Sequence, residues 1–184
     1  GPRLTGPVLI EPWHPAAADG LSDSEQALWR AVGGDDGLSR CRVEVSRELA
    51  AWDYLVLVDD AGGSQFDALR AMDPAALPGS VACLAAGGRG FHGHHGRVWQ
   101  TLRGNLHLST FCNPQLPAAS CGLAMTTLPA VAVLDALDAH GPWHTRPGIK
   151  WVNDILVDER KIAGVLTATQ SLSGELNALT LGIG

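Results

Sequence analysis

Apolar residues in this chain fall into short runs with two different spacings, and breaks rich in glycine and proline separate them. The opening GPRLTGPVLIEPWHPAAADG predicts loop with one short strand at Val8–Ile10. Ser22 and Glu25 stand at the spacing of a capping box, and Ala27, Leu28, Ala31 and Val32 recur on one helical face, so a short helix is predicted there, ended by GGDDG. Arg42–Val45 and the β-branched, aromatic Trp52–Val58 predict strands. DDAGGS breaks the second of these, and Gln65–Met72 has helical spacing. Val81–Ala86 predicts a strand of small residues, and Asn105–Phe111 alternates as a half-buried strand does. From Cys121 to His140 apolar residues keep helical spacing through Leu128, Val131, Leu134 and Leu137, until Gly141-Pro142 stops the run. Ile149–Val152, Ile155–Val157, Ile162–Thr169 and Leu176–Ile183 predict four more strands. The sum is an α+β fold, a mostly antiparallel mixed sheet with helices packed on it.

Composition bounds this picture. With 184 residues, 46% hydrophobic and 17% charged, the chain has material for one substantial core. Residues 51–184 are expected to form the main domain, and 1–50 an N-terminal extension packed on it. Gly1-Pro2 is set aside as a tag remnant, and the strand pattern running into Gly184 leads us to expect further chain that completes the domain. A net charge of -6, with Lys and Arg scattered, argues against a nucleic-acid surface. No apolar run reaches bilayer length and no secretory signal pattern opens the chain, so a cytoplasmic protein is expected. Cys41, Cys83, Cys112 and Cys121 have no C-x-x-C spacing and are read as reduced, mostly buried thiols.

Two stretches carry candidate chemistry. GGRGFHGHHGRVW, from Gly87 to Trp99, holds five glycines, two arginines and three histidines between two strands. Glycines let backbone N–H groups approach an anion, and arginines add forked charge, a combination suited to phosphate; a ligand-free glycine-rich connection is the equal alternative. No Gly-Lys-Ser/Thr follows, so it is not a Walker loop, and it feeds a strand, which excludes a dinucleotide fingerprint. His92, His94 and His95 are read as polar lid residues that titrate near neutral pH, with a zinc site as the lesser alternative. Trp99 is either a core aromatic or a surface on which a flat ring stacks. The second stretch, GIKWVNDILVDERKIAG from Gly148 to Gly164, sets Lys150, Lys161 and an Asn-Asp pair among strand-like apolar residues. Its plain alternative is an exposed Lys150–Asp154 ion pair and a solvated Lys161 in a hairpin.

The order of these motifs is specific. A Gly-Arg-Gly loop followed by Arg97 and Trp99, then GNLHLS, KWVND, ERKIAGVL and a strand ending LGIG, resembles the catalytic domain of biotin protein ligases, whose patterns are GRGRRGRxW, GNLxxS, KWPND, KxAG and GxGxN. The matched stretch runs from about Gly88 to Gly184. The resemblance implies a class II synthetase-like biotin/lipoate ligase domain. Such enzymes join biotin to ATP as biotinyl-5′-adenylate, release pyrophosphate, and pass the biotinyl group to a lysine of a biotin carboxyl carrier-type acceptor domain. ATP with Mg²⁺, and biotin as substrate, are therefore implied. A carboxylate repels the triphosphate it must attack, so cations have to neutralise both. Lys161 is implied as the principal catalytic cation and Arg89 as the second. Asn153 is implied in adenine recognition, Asp154 in positioning Mg²⁺-bound phosphate or the carrier amine, and Lys150 as support; Ala163 and Gly164 offer bare backbone beside the ligand. Gly88, Gly90, Phe91, His92, Arg97, Trp99 and Asn105 complete the implied contacts. No metal site built from protein alone, no nucleic-acid partner and no membrane are implied, and a homodimer is left open.

Three positions depart from the family's pattern. KWPND is KWVND here. The loop carries histidines in place of arginines, so either Gly88-Arg89-Gly90 or Gly96-Arg97 with Trp99 corresponds to the family loop. The Ser-Thr-Asn run that binds biotin's ureido ring is replaced by Asp59–Gln65, and Ala85-Ala86-Gly87 stands where a Gln is usual, leaving Ser64 and Gln65 as polar candidates. A lipoate or octanoate ligase or transferase, and a non-catalytic binding relative, are the alternative functions.

Overall fold

In the computed structural model the described residues are 9–10, 14–15, 20–33, 39–40, 43–44, 52–140 and 146–184. The N-terminal part contributes β1 (Leu9–Ile10), β2 (His14–Pro15), α1 (Asp23–Val32), β3 (Ser39–Arg40) and β4 (Val43–Glu44), with β1 paired to β4 and β2 to β3. Ser22 caps α1 as its spacing predicts: the Ser22 hydroxyl accepts from Glu25 N and the Glu25 carboxylate accepts from Ser22 N. The remainders of the predicted strands at Val8–Ile10 and Arg42–Val45, most of the 1–50 extension and Cys41 lie outside the described residues.

The main sheet follows. Strand β5 (Tyr54–Val58) leads through helix α2 (Gln65–Ala71) to β6 (Val81–Ala85), and because a helix returns the chain these two strands pair in parallel. Next come β7 (His107–Cys112), β8 (Leu116–Pro117), α3 (Ala118–Cys121) and α4 (Ala124–His140). Strands β9 (Gly148–Lys150), β10 (Asp154–Val157), β11 (Arg160–Leu172) and β12 (Glu175–Ile183) complete it. The order is β5-β6-β7-β12-β11-β10-β9, with β8 against β12, and every pairing but the first is antiparallel. The fold is therefore α+β on a mixed, mostly antiparallel sheet.

Residues opposite one another in a ladder share a face, and this sorts the core. Val81, Cys83 and Ala85 face the same side as Phe111, Ser109 and His107, and this side continues through Thr180 and Gly182 to Leu166. Helices α1 and α2 cover its far end, where Leu28, Val32 and Leu69 pack on Val81, Cys83 and Phe111. Gln65 joins the two helices, donating through Nε2 to Val32 O at 2.9 Å. Helix α4 covers the opposite side, with Ala130 against Ile155 and Val165. Each buried Leu- or Ile-sized side chain contributes about 1.5–3 kcal/mol. Burial also pushes the Cys83 thiol up to about 12, so it is protonated; Cys83, Cys112 and Cys121 are free thiols.

Several predicted elements change. The run expected as one helix from Cys121 to His140 is broken at Gly122, whose φ of +42 no helix accommodates. In α4 the buried face carries Ala130, with Val133, Leu134 and Leu137 packed beside it, whereas Leu128 and Val131 are exposed. The strand expected at Ile149–Val152 ends at Lys150, and Trp151, Val152 and Asn153 form a turn with a cis Trp151–Val152 bond. Asn105 lies in a turn before β7, its N–H donating to Leu102 O at 3.1 Å.

Candidate active site

Toward the ends of β12 and β6 and the starts of β7 and β11, the α2-side face of the sheet carries small residues. Ser109, Gly182, Gly184 and Gly164 leave a gap beneath Phe66 of α2 and Trp99 of the Gly/His loop. A Cβ added at Gly182 would stand 3.1 Å from the Phe66 ring, and one at Gly184 would stand 2.8 Å from Trp99 Nε1. A side chain at Gly184 would collide with the Trp99 ring, and one at Gly182 would press Phe66 out of place. The result is a cavity of about 250 Å³.

The Gly/His loop is an ordered hairpin against this gap. Trp99 N donates to Phe91 O at 3.0 Å, Gly93 N to Arg97 O at 2.7 Å, and His92 bridges Val98. Its start is stitched to the turn after β5: Arg89 N donates to Ala61 O at 3.1 Å and Ala61 N to Gly87 O at 3.0 Å. The N–H groups of Arg89, Gly93, Gly96 and Trp99 are thus committed within the protein. Phe91, His92, Arg97 and Trp99 line the cavity, whereas Gly88, Arg89 and Gly90 are not among its lining residues. Arg89 donates from Nε to Gly62 O at 3.2 Å. Arg97 and Trp99 thus present the loop's cation and flat ring to the cavity.

At the opposite wall, the two-residue turn Asp158-Glu159 joins β10 to β11, and Lys161 reaches back over the sheet. Its Nζ lies 2.8 Å from Asp154 Oδ1 and 4.7 Å from the centroid of the Trp99 ring. The pair is part-exposed, at 39% and 25%, so its contribution to stability is at most about 1 kcal/mol and its value lies in placing the ammonium. Asp154 therefore pairs with Lys161 and not with Lys150, which ends β9 as an exposed residue. Asn153 donates from Nδ2 to Val165 O at 2.7 Å, fixing the carboxamide and leaving its oxygen for a ligand donor. Gly164 lines the cavity, with Lys161 and Trp99 over it; Ala163 faces the other side and packs toward α4. Asn105, Lys150 and Ala163 are outside the cavity lining.

The sheet-ward end holds Ser64, Gln65 and two residues not among the expected contacts, His107 and Ser109, the second being the serine of GNLHLS. Ser64 caps α2, accepting from Asp67 N at 3.2 Å. His107 is 4% exposed and meets Phe91 edge-on, with ring centroids 5.2 Å apart. Asp154 is the one carboxylate lining the cavity among the described residues, which contain no group of three or more potential metal-ligating side chains. His94 and His95 lie ring to ring at 4.0 Å on the loop tip.

His92 latches the loop to α2. Its Nδ1 hydrogen-bonds Gly93 O at 3.1 Å and its Nε2 hydrogen-bonds the Asp67 carboxylate. The bond to Gly93 first, and then that to Asp67, raise the His92 pKa; burial pushes Asp67 up, but His92 and Ser64 together outweigh it and hold that carboxyl below its ordinary value. The sign follows from linkage. The His92 contribution is complete below its ordinary value of 6.5 and is lost as pH rises through the raised value. The Asp67 contribution is present above 3.8 and is lost as pH falls through the lowered one. The latch thus closes between these limits, worth at most about 1 kcal/mol for side chains about one-third exposed. An NMR titration is expected to place the His92 midpoint above the ordinary imidazole value, and Asp67→Asn to lower it; an unmoved midpoint would refute the latch.

A model of the biotin/lipoate A/B protein ligase family matches residues 75–184. The chain belongs to this family. Among curated proteins, this ligase-family chain is 34% identical over 93 residues to the bifunctional ligase/repressor BirA of Bacillus spizizenii, covering 50% of this chain and 28% of that protein. It is 32% identical over 110 residues to the BirA of Escherichia coli, covering 59% and 33%, and 34% identical over 109 residues to the biotin--[acetyl-CoA-carboxylase] ligase of Paracoccus denitrificans, covering 59% and 45%. The matched segments span less than half the length of these relatives. Among solved structures, biotin acetyl coenzyme A carboxylase synthetase from Helicobacter pylori, with bound biotinylated ATP, has a TM-score of 0.50 at 20% identity, over 71% of this chain and 59% of that one, a likeness of fold. No helix among the described residues of the ligase-family chain is long and apolar enough to cross a membrane.

Proposed function

We propose that this ligase-family chain activates biotin with ATP to biotinyl-5′-adenylate and transfers the biotinyl group to a lysine of a carrier protein. The observation that carries the reading is Lys161, held at the cavity wall by Asp154 and Trp99, where a carboxylate and a phosphate can both reach one ammonium. In the first step a carboxylate oxygen of the acid forms a bond to the α-phosphorus, the bond from that phosphorus to the β-bridging oxygen breaks, and pyrophosphate leaves with its electrons. In the second the carrier amine attacks the acyl carbon, AMP leaves, and the amine loses a proton. Lys161 neutralises the approach of two anions and the charge that develops between them. Arg97 adds a cation at the loop, Trp99 offers its ring, and the free carboxamide oxygen of Asn153 suits the amino group of adenine. Magnesium would arrive with ATP, held mainly by phosphate oxygens and water with Asp154 as its one carboxylate, and would supply charge neutralisation.

Pyrophosphate release, measured with biotin, lipoate and octanoate in the presence of MgATP, tests the reading. Release that depends on biotin is expected. Release with lipoate or octanoate alone would move the chain to the neighbouring ligase class, and folded protein that releases none with any acid would make it a binding relative.

A further inference from the structure

His92 makes two hydrogen bonds that only its cationic form can make together. Gly93 O and the Asp67 carboxylate are both acceptors, so Nδ1 and Nε2 must both donate. A neutral ring has one N–H, and whichever nitrogen keeps it, the other turns a lone pair toward an oxygen. Arg70 donates to the second Asp67 oxygen at 3.2 Å and gives that carboxylate another counter-charge. Asp67 and Arg70 are the charged groups of α2 that act on the ring. His94, His95 and Arg97 follow it in the same hairpin, and Lys161 with Asp154 stands at the hairpin's other contact.

The hairpin is therefore pinned on two sides. Asp67 holds His92 to α2, His92 bridges Val98 across the hairpin, and the adjoining Trp99 meets Lys161 of β11. Arginines, which the family loop pattern carries, stay charged at every pH a protein survives, whereas a histidine titrates near neutrality. We propose that Asp67 is a positioning residue for the loop: it holds the loop closed through the His92 imidazolium, so the activated acid is retained while the ring carries both protons and escapes when one is lost. A mixed acyl-phosphate anhydride is open to hydrolysis, and a closed loop keeps water from it. Retention rests on the adenylation reading; closure of the loop does not.

The experiment forms the intermediate from biotin and MgATP labelled at the α-phosphate, with pyrophosphatase and no acceptor. Its escape into excess unlabelled ligand is followed from about pH 6 to 9 in wild type, Asp67→Asn and His92→Ala. Wild-type escape is expected to rise about two- to fivefold over this range, the factor suited to side chains about one-third exposed. His92→Ala is expected to lose the intermediate at the faster rate throughout. Asp67→Asn is expected to flatten the profile, because its carboxamide can donate to Nε2 of a neutral ring while Nδ1 still donates to Gly93 O. Protection of the Gly93 and Trp99 amides from exchange, taken relative to the unstructured rate, reads the loop without any ligand. It is expected to fall with pH in wild type and to stay level in Asp67→Asn. Protection that falls so while no acid yields an adenylate supports the Asp67 assignment and overturns the adenylation reading. Profiles level in wild type, or equally steep in Asp67→Asn, overturn the assignment and leave adenylation standing. Escape that stays level while protection falls overturns the loop's part in retention.

Discussion

Lys161→Ala is expected to lower acid-dependent pyrophosphate release by about 10²–10³-fold, the effect of deleting one preorganised charge-stabilising donor. The unfolding midpoint should scarcely move, because the Lys161–Asp154 pair is part-exposed and such pairs add at most about 1 kcal/mol. The two readouts separate a catalytic role from a structural one. A variant that loses activity and stability together would point to a damaged hairpin, and one with undiminished release would remove Lys161 from the chemistry. Deleting the lysine also leaves Asp154 facing the incoming phosphates without its counter-charge. Lys161→Ala/Asp154→Asn should therefore lose less than the sum of the two single losses, a non-additivity expected of groups that share one interaction. Lys161→Arg should restore only part of the activity: a guanidinium can still pair with Asp154 and lie on the Trp99 ring, but it is larger and spreads its charge, so it does not reproduce a compact ammonium between two anions.

The parts of the site that were legible in the sequence are those whose chemistry is contiguous. Asn153, Asp154, Lys161 and Gly164 sit within one short meander, and one tight turn brings them together. Arg97 and Trp99 likewise share the returning arm of one hairpin. Arg89 was less legible. Its order in the loop matched a family cation, but the bridge between Ala61 and Gly88 ties that arm to the turn after β5, away from the cavity lining. His107 was hidden for a different reason. In LHLS the more deeply buried phase is the polar one: His107 and Ser109 are buried, whereas Leu106 is 53% exposed and Leu108 half-buried. A strand whose polar phase is the buried one is a signal that it lines a site. Helix α4 shows the limit of periodicity. It is apolar on nearly all sides, so spacing alone predicted Leu128 and Val131 in the core, whereas contact with β10 and β11 buries Ala130 and brings Val133 inward. The long strands needed no such help, because apolar runs and glycine breaks state them locally.

Gly182→Val is expected to impair both binding and stability, because the same glycine admits Phe66 from above and floors the cavity. Two effects compete. A β-branched residue suits a strand better than glycine and removes conformational freedom from the unfolded chain, a gain of about 0.4–1 kcal/mol. Against this, the new Cβ would stand 3.1 Å from Phe66 Cδ2 and 3.4 Å from Cγ, and valine adds two further carbons. Phe66 is 8% exposed and rooted in α2, whose Leu69 is 1% exposed in the core, so the ring cannot swing clear without lifting the helix. Overpacking of this kind costs about 1–3 kcal/mol and exceeds the gain. A lowered thermal midpoint together with weakened acid binding is therefore expected. Phe66→Ala in the same chain should return much of the lost stability relative to its effect on the wild type, since the vacated ring space receives the valine; the coupling would appear as a favourable interaction term in the double-mutant cycle. Additive losses in that cycle would show that Gly182 does not answer to Phe66, and that the gap beneath α2 is set elsewhere.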